Sequence, residues 1–231
     1  MTSIVRWTLL AGSLSAFAGA ASAQTTDKEK GVYIAAAFSV TTTDTVSRTI
    51  PNVPAPGVDL TIVNPFNTGY GGAVAAGYDF GRARIEGEFG YTDNGVDRYI
   101  VPAGPFAGTL PLDGGRTVRR YMANAYFDLT EGPVRPYIGV GAGAAAIHMR
   151  TVGPRAFAPT EPPRTLTDVK DTRFAYQLIG GLSVSTGKRV TVSAQYRWLD
   201  AGSIRGSDTA GVPFVSKHRG HNVDIGLRVR I

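Results

Sequence analysis

Apolar and polar residues alternate with a period of two along most of this chain, the mark of strands whose two faces meet different surroundings. In Ala83-Arg84-Ile85-Glu86-Gly87-Glu88-Phe89-Gly90-Tyr91, one face carries Ala83, Ile85, Phe89 and Tyr91, and the other Arg84, Glu86 and Glu88. The last segment repeats this, setting Val223, Ile225, Leu227, Val229 and Ile231 against Asn222, Asp224, Gly226, Arg228 and Arg230. Eight strands are predicted: Gly31–Val40, Gly69–Phe80, Arg82–Tyr91, Val118–Leu129, Pro136–His148, Thr172–Ser185, Arg189–Leu199 and Gly220–Ile231. Each is about 10 residues long, the length a tilted membrane strand needs. No long segment keeps a helical period.

The connections alternate in length. Gly81, Thr130–Arg135 and Thr186–Lys188 read as tight turns. Thr41–Thr68, Thr92–Thr117, Met149–Asp171 and Asp200–Arg219 read as loops of 28, 26, 23 and 20 residues. Proline cannot donate to a strand ladder. Of the 14 prolines, 12 fall in those loops, which supports the boundaries.

Three features decide which face points outward. Only five lysines occur, Lys28, Lys30, Lys170, Lys188 and Lys217, and all lie outside the predicted strands, so the apolar face does not back onto a wet, lysine-rich exterior. Short turns at one end and long loops at the other match the two ends of an outer-membrane barrel. Tyr70, Tyr78, Phe80, Phe89, Tyr91, Tyr121, Phe127 and Trp198 tip the apolar faces near the strand ends, where an amphipathic ring suits a membrane interface. An open edge in hydrocarbon costs several kcal/mol per unpaired polar group, so the sheet must close. The expectation is an all-β, eight-stranded, antiparallel up-and-down transmembrane barrel with four long extracellular loops and three short periplasmic turns.

The start of the chain reads as an address. Arg6, the apolar run Trp7–Ala18 and Ala21-Ser22-Ala23 fit a secretory signal peptide, residues 1–23, cleaved before Gln24. Residues 24–231 then form the barrel domain. The absence of cysteine excludes disulfides and thiolate metal sites.

The order of the segments resembles the OmpA-like and opacity-type eight-stranded outer-membrane barrels of Gram-negative bacteria, a porin-family group of surface proteins. The residues that carry it are Gly69-Tyr70-Gly71-Gly72 running into Gly77-Tyr78-Asp79-Phe80, then Arg84–Tyr91 and Met122-Ala123-Asn124-Ala125-Tyr126-Phe127-Asp128. Further on stand Pro136-Tyr137-Ile138-Gly139-Val140-Gly141, Phe174-Ala175-Tyr176-Gln177 and Gln195-Tyr196-Arg197-Trp198. The resemblance implies an outer-membrane location, passage through the barrel-assembly machinery, and a structural, adhesive or antigenic role. Many such barrels end in Phe or Tyr, whereas this chain ends in Ile231.

By parity the lumen receives Arg84, Arg120, Arg197, Arg228 and Arg230 against Asp79, Glu86, Glu88, Asp128 and Asp224. An eight-stranded barrel is only wide enough to be filled by side chains, and buried charges must be paired. The set reads either as a salt-bridged plug or as a selectivity ring, and Gly139, Gly141 and Gly143 are expected to leave room for arginines reaching across. The net charge of +6 does not come from the long loops, whose basic and acidic residues balance. Arg82, Arg135, Lys188 and Arg189 flank the short turns beside inner-leaflet phosphates, and Arg119 and Arg173 are placed at the outer interface as candidate lipopolysaccharide contacts. No basic stripe interleaved with aromatics occurs, so nucleic acid is not an expected partner.

Enzyme signatures are sparse, and no catalytic, cofactor or metal site is assigned. Gly139–Ala144 fits a dinucleotide fingerprint only formally, since that motif works at a strand-to-helix turn. A lipid A-modifying enzyme would need His148 beside a serine such as Ser203 or Ser207. Function otherwise falls to the loops, where Ile50, Phe66, Phe106, Phe157 and Phe214 either meet a host or cell-surface ligand or pack onto the barrel rim. The reading is a surface barrel acting through its loops, with a narrow porin and a lipid A-modifying enzyme as alternatives.

Overall fold

The computed structural model describes residues 30–231 apart from 51, 53–56, 58, 105, 155–161, 208, 210 and 212. The proposed leader and Phe157 lie outside the described residues, as does the side chain of Ile50. The described strands are β1 (Gly31–Thr43), β2 (Val46–Ile50), β3 (Leu60–Asn64), β4 (Gly69–Asp79), β5 (Ala83–Gly95), β6 (Arg98–Val101), β7 (Gly108–Pro111), β8 (Asp113–Asp128), β9 (Val134–Gly153), β10 (Arg164–Ser185), β11 (Val190–Ser207) and β12 (Pro213–Arg230).

Eight of them close a barrel in the order β1-β12-β11-β10-β9-β8-β5-β4, with β4 pairing back onto β1. Every neighbouring pair is antiparallel. The alternation behaves as its physics requires. Val32, Ile34 and Phe38 on β1, Ile85 and Phe89 on β5 and Val223, Ile225 and Leu227 on β12 are exposed, while Arg84, Glu88 and Asp224 on the same strands are buried. Ile225 is 62% exposed and Asp224 fully buried. Apolar outside and ionic inside is the arrangement of a barrel in lipid. Seven of the eight expected aromatics are exposed; Trp198 is half-buried because its ring meets Tyr176 edge-on at 5.6 Å.

Two expectations about the loops are corrected. Strand β9 has 20 residues and β10 has 22, about twice a membrane crossing. The exposed large apolar side chains of β9 stop at Val140 and those of β10 at Phe174, so the upper halves of these strands continue the barrel wall beyond the bilayer. Lys170 of β10 and Lys217 of β12, read as loop residues, lie in strands. The first two connections fold into a second sheet, β2-β3-β6-β7, whose core is Leu60, Ile62, Val96, Tyr99, Val101 and Leu112. Phe66 and Phe106 pack against that core and Phe214 is buried, so none of the three is a free contact point.

The opposite end is tight. Gly81 takes φ +109 between β4 and β5 and donates its N–H to Asp79 Oδ1 at 2.9 Å, which only glycine does cheaply. Near the outer rim the β11–β12 register shifts between Asp200 and Ser203, where Gly202 has φ +69 and its N–H meets Asp200 Oδ1 at 2.7 Å. Such a bulge bends the strand and increases its local twist at a barrel rim.

Candidate functional site

The lumen is filled in two layers. The lower one is ionic and centres on Glu88 of β5. Its Oε1 accepts from Arg120 Nε at 3.0 Å and from Arg197 Nη1, and its Oε2 accepts from Asn124 Nδ2 at 3.2 Å. Arg197 Nε donates to Asp224 Oδ2 at 3.1 Å, and the same oxygen accepts from Gln195 Nε2 at 2.8 Å. Gln177 joins the layer through Asn124 Oδ1 at 2.6 Å and Arg197 at 3.2 Å. Glu86 accepts from the hydroxyls of Tyr33 and Tyr126 at 2.9 and 2.7 Å. These bonds join β1, β5, β8, β10, β11 and β12 across the barrel. Ionic groups at such depth persist because Glu88 and Arg197 share several charge-assisted bonds, while Arg120 Nη2 and Asp224 Oδ1 are buried without a hydrogen-bond partner.

Below this, Arg84 pairs with Asp128 at 2.5 Å and lies between the rings of Tyr126 and Tyr137, 5.0 and 4.9 Å from their centroids. Asp79 is buried at the same end, Arg228 lies 5.3 Å over the Tyr33 ring, and Arg230 is half-buried at the mouth. Arg135 also faces inward. It is 7% exposed, 3.9 Å from Asp128, and donates to Ser185 Oγ at 3.0 Å, so it is no contact for lipid phosphates. The glycines of β9 do not make space for arginines. A Cβ at Gly139 would strike Tyr126, and one at Gly141 would strike Asn124 and Gln177. Room for Arg120 comes from Gly90, where a Cβ would stand 2.5 Å from Nε.

The upper layer is apolar and was not expected. Val118, Met122, Ala145, Ile147, Ala175, Leu199, Ala201 and Ile204 form one buried cluster from four adjacent strands, β8 to β11. The signal was present in the sequence, since Val118 and Met122 share the parity of Arg120. Above the cluster, Arg116 is fully buried. It bonds Thr43 Oγ1, His218 Nδ1 and Ser216 Oγ at 3.1, 3.2 and 3.1 Å, and lies 4.4 Å over the ring of Phe66. It makes no ion pair with a described carboxylate, and Asp44 acts on it only at longer range. Both groups lie above the apolar band. Burial lowers the Arg116 guanidinium to about 10, and burial together with Arg116 lowers His218 to about 3, so near neutrality the arginine is charged and the histidine is a neutral acceptor.

The outer rim carries the remaining candidates. Arg119 is exposed and flanked across the ladder by Tyr91 and Ala146. Arg150 and Lys170 are exposed one and two strands further round. Arg173 departs from its expected place. It pairs with Ala145, a lumen residue, and its guanidinium is held by Asp171 at 2.8 Å, so it faces the barrel mouth rather than lipid. His148 Nε2 meets Asp168 Oδ1 at 2.9 Å. Ser203 and Ser207 pair with Lys217 and Pro213 on β12, and no described contact brings either to His148. Gly139–Ala144 lies wholly within β9.

Known proteins agree with this architecture. Four uncharacterised proteins of Brucella abortus, Brucella suis and Brucella melitensis are 36% identical over 91 residues, 38% of this chain and 32% of theirs, so the match spans about a third of their length. OprG of Pseudomonas aeruginosa superposes with a TM-score of 0.56 at 12% identity, covering 87% of this chain and 96% of its own. Neisserial surface protein A gives 0.51 at 17%, covering 88% and 99%. At those identities the likeness is one of fold. Residues 10–229 match the model of the outer membrane protein β-barrel domain, and the chain belongs to that family.

Proposed function

We propose that this protein is a surface barrel whose wall anchors and whose loops act, in envelope integrity, adhesion or antigenic display. The observation that carries this reading is the filled lumen. An ionic layer around Glu88 and Arg197 lies under an apolar layer around Met122 and Ile147, and a solute would have to break both. A cavity of about 70 Å³ with a mixed lining that includes Arg84, Glu86, Gln195 and Arg228 lies in the lower half and reaches Glu88 and Arg197. That cavity is the one feature in favour of a narrow porin.

The basic residues of the outer rim, Arg119, Arg150 and Lys170, support contact with the phosphates of lipopolysaccharide, to which guanidinium binds in a fork. The sheet β2-β3-β6-β7 presents the first two loops as an ordered platform for a host or cell-surface ligand. The test replaces β2–β3 and β6–β7 by short turns in cells that display the protein. Adherence to host-cell matrix and recognition by antibodies against whole cells should fall, while detergent resistance of the envelope is kept. Unchanged adherence together with uptake of small solutes through the wild-type barrel would overturn the reading in favour of the porin.

A further inference from the structure

On four adjacent strands the inward positions of the lower lumen are small. They are Ala73 and Ala75 on β4, Ala35 and Ala37 on β1, Gly226 on β12 and Ser193 on β11, and they pair with one another across the ladders. The opposite wall carries Arg84, Tyr126 and Tyr137, and the cavity of about 70 Å³ lies between the two. That space holds a small ion with a few waters. Arg228 reaches into it from between Ala35 and Thr191, its neighbours across the two ladders.

The charges around the cavity do not cancel. Among the described residues that face inward below the Glu88 layer, Arg84, Arg135, Arg228 and Arg230 stand against Asp79, Glu86 and Asp128, which leaves one positive charge over. The carboxylates nearest the cavity are also engaged elsewhere. Asp128 holds Arg84 at 2.5 Å and lies 3.9 Å from Arg135. Glu86 accepts from the hydroxyls of Tyr33 and Tyr126 and from the amide of Asn124. Arg228 lies 5.3 Å over the ring of Tyr33 and makes no hydrogen bond or ion pair with a described residue.

A guanidinium presents five N–H donors in a planar fork that matches the two oxygens of a carboxylate. We propose that the lower lumen is a binding site for one small monovalent carboxylate, of the size of formate or acetate, held in a fork by Arg228. The guanidinium of Arg84 and the hydroxyl of Thr191 line the same cavity as further donors. The charge of Glu86 keeps the anion on the Arg228 side. Entry is from the turn end, where Thr191, Arg228 and Arg230 are half-buried. Above the cavity stand the bonds of Glu88 and Arg197 and the packing around Met122, so the site is a blind pocket and not a step on a path through the wall.

The test follows the side-chain Nε–H resonances of Arg228 and Arg84 by NMR of the isotope-labelled full chain, refolded in a non-ionic detergent. Sodium gluconate, too large for the cavity, is exchanged for sodium formate at constant ionic strength. Both resonances should shift saturably, and the unfolding midpoint should be higher in formate than in gluconate. Arg228→Gln, shown to be folded by heat-modifiable gel migration, should lose the saturable shift at Arg84. Ala35→Leu, which fills the cavity and keeps Arg228, should lose the shift at both arginines. Shifts that grow linearly with formate would reveal charge screening alone and overturn the site, as would a wild-type response retained in Ala35→Leu. An equal response to sodium chloride would overturn the carboxylate and make the occupant a halide. The adherence and conductance measurements do not depend on any of these outcomes.

Discussion

Arg116 and His218 meet at 3.2 Å in the extracellular part of the lumen, where the arginine has no described carboxylate to pair with and the histidine serves as a neutral acceptor. Protonating His218 would set a second cation against the first in a buried site. Its value falls from 6.5 when unfolded to about 3 when folded, so the unfolded state binds the extra proton between those limits. Stability contributed by the neutral histidine is therefore complete above pH 6.5 and is lost as pH falls toward 3, by up to about 1.4 kcal/mol per unit. Amide exchange at the outer ends of β8 and β12 should quicken across that window. His218→Asn, which keeps an acceptor and cannot be protonated there, should flatten the dependence.

Glu88 is the carboxylate that Arg120 and Arg197 share. Glu88→Ala leaves two buried guanidinium groups with only Asp224 between them, and should destabilise the barrel by about 3–5 kcal/mol. The midpoint of urea unfolding, followed by heat-modifiable gel migration, reads the loss. A midpoint unchanged by the substitution would contradict the arrangement of the ionic layer.

Gly90 and Gly87 face opposite sides of β5 and should respond differently to the same change. At Gly90 an added Cβ strikes Arg120, and Gly90→Ala should cost about 1–3 kcal/mol. At Gly87 the space is open, and Gly87→Ala should be neutral or slightly stabilising. Unfolding midpoints of the two variants in one detergent check the contrast.

The pair of His148 with Asp168 stands at the rim, and no described serine is hydrogen-bonded to it. His148→Ala should leave the lipid A mass spectrum of the expressing cells unchanged. A loss of an acyl or phosphate modification in that spectrum would establish the enzyme reading instead.

The membrane wall was legible in the sequence because strand parity is a local property, and each outward Val, Ile or Phe is two residues from the next. Arg84, Glu88 and Arg120 could be placed on the inner face by the same rule. What parity could not supply was vertical extent. Nothing in the alternation of Thr165–Lys170 tells a strand above the bilayer from a loop, and Thr, Pro and Gly lean the reading toward loop. Arg173 obeys the parity rule, since it shares the inward face of buried Ala175 and Gln177 and pairs with Ala145. Arg135 was misread as a turn residue because its burial depends on Asp128 and Ser185, which lie on other strands. The apolar upper layer needed four strands in register before Val118, Ile147, Ala175 and Leu199 could be seen as one cluster.

A lumen filled by both layers makes one demand that a single recording can meet. The wild-type protein, refolded and inserted into a planar bilayer, should show no steady conductance at neutral pH, because the bonds of Glu88 and Arg197 and the packing around Met122 stand in the way of a solute. Large, reproducible open steps from that preparation would contradict the closed barrel directly.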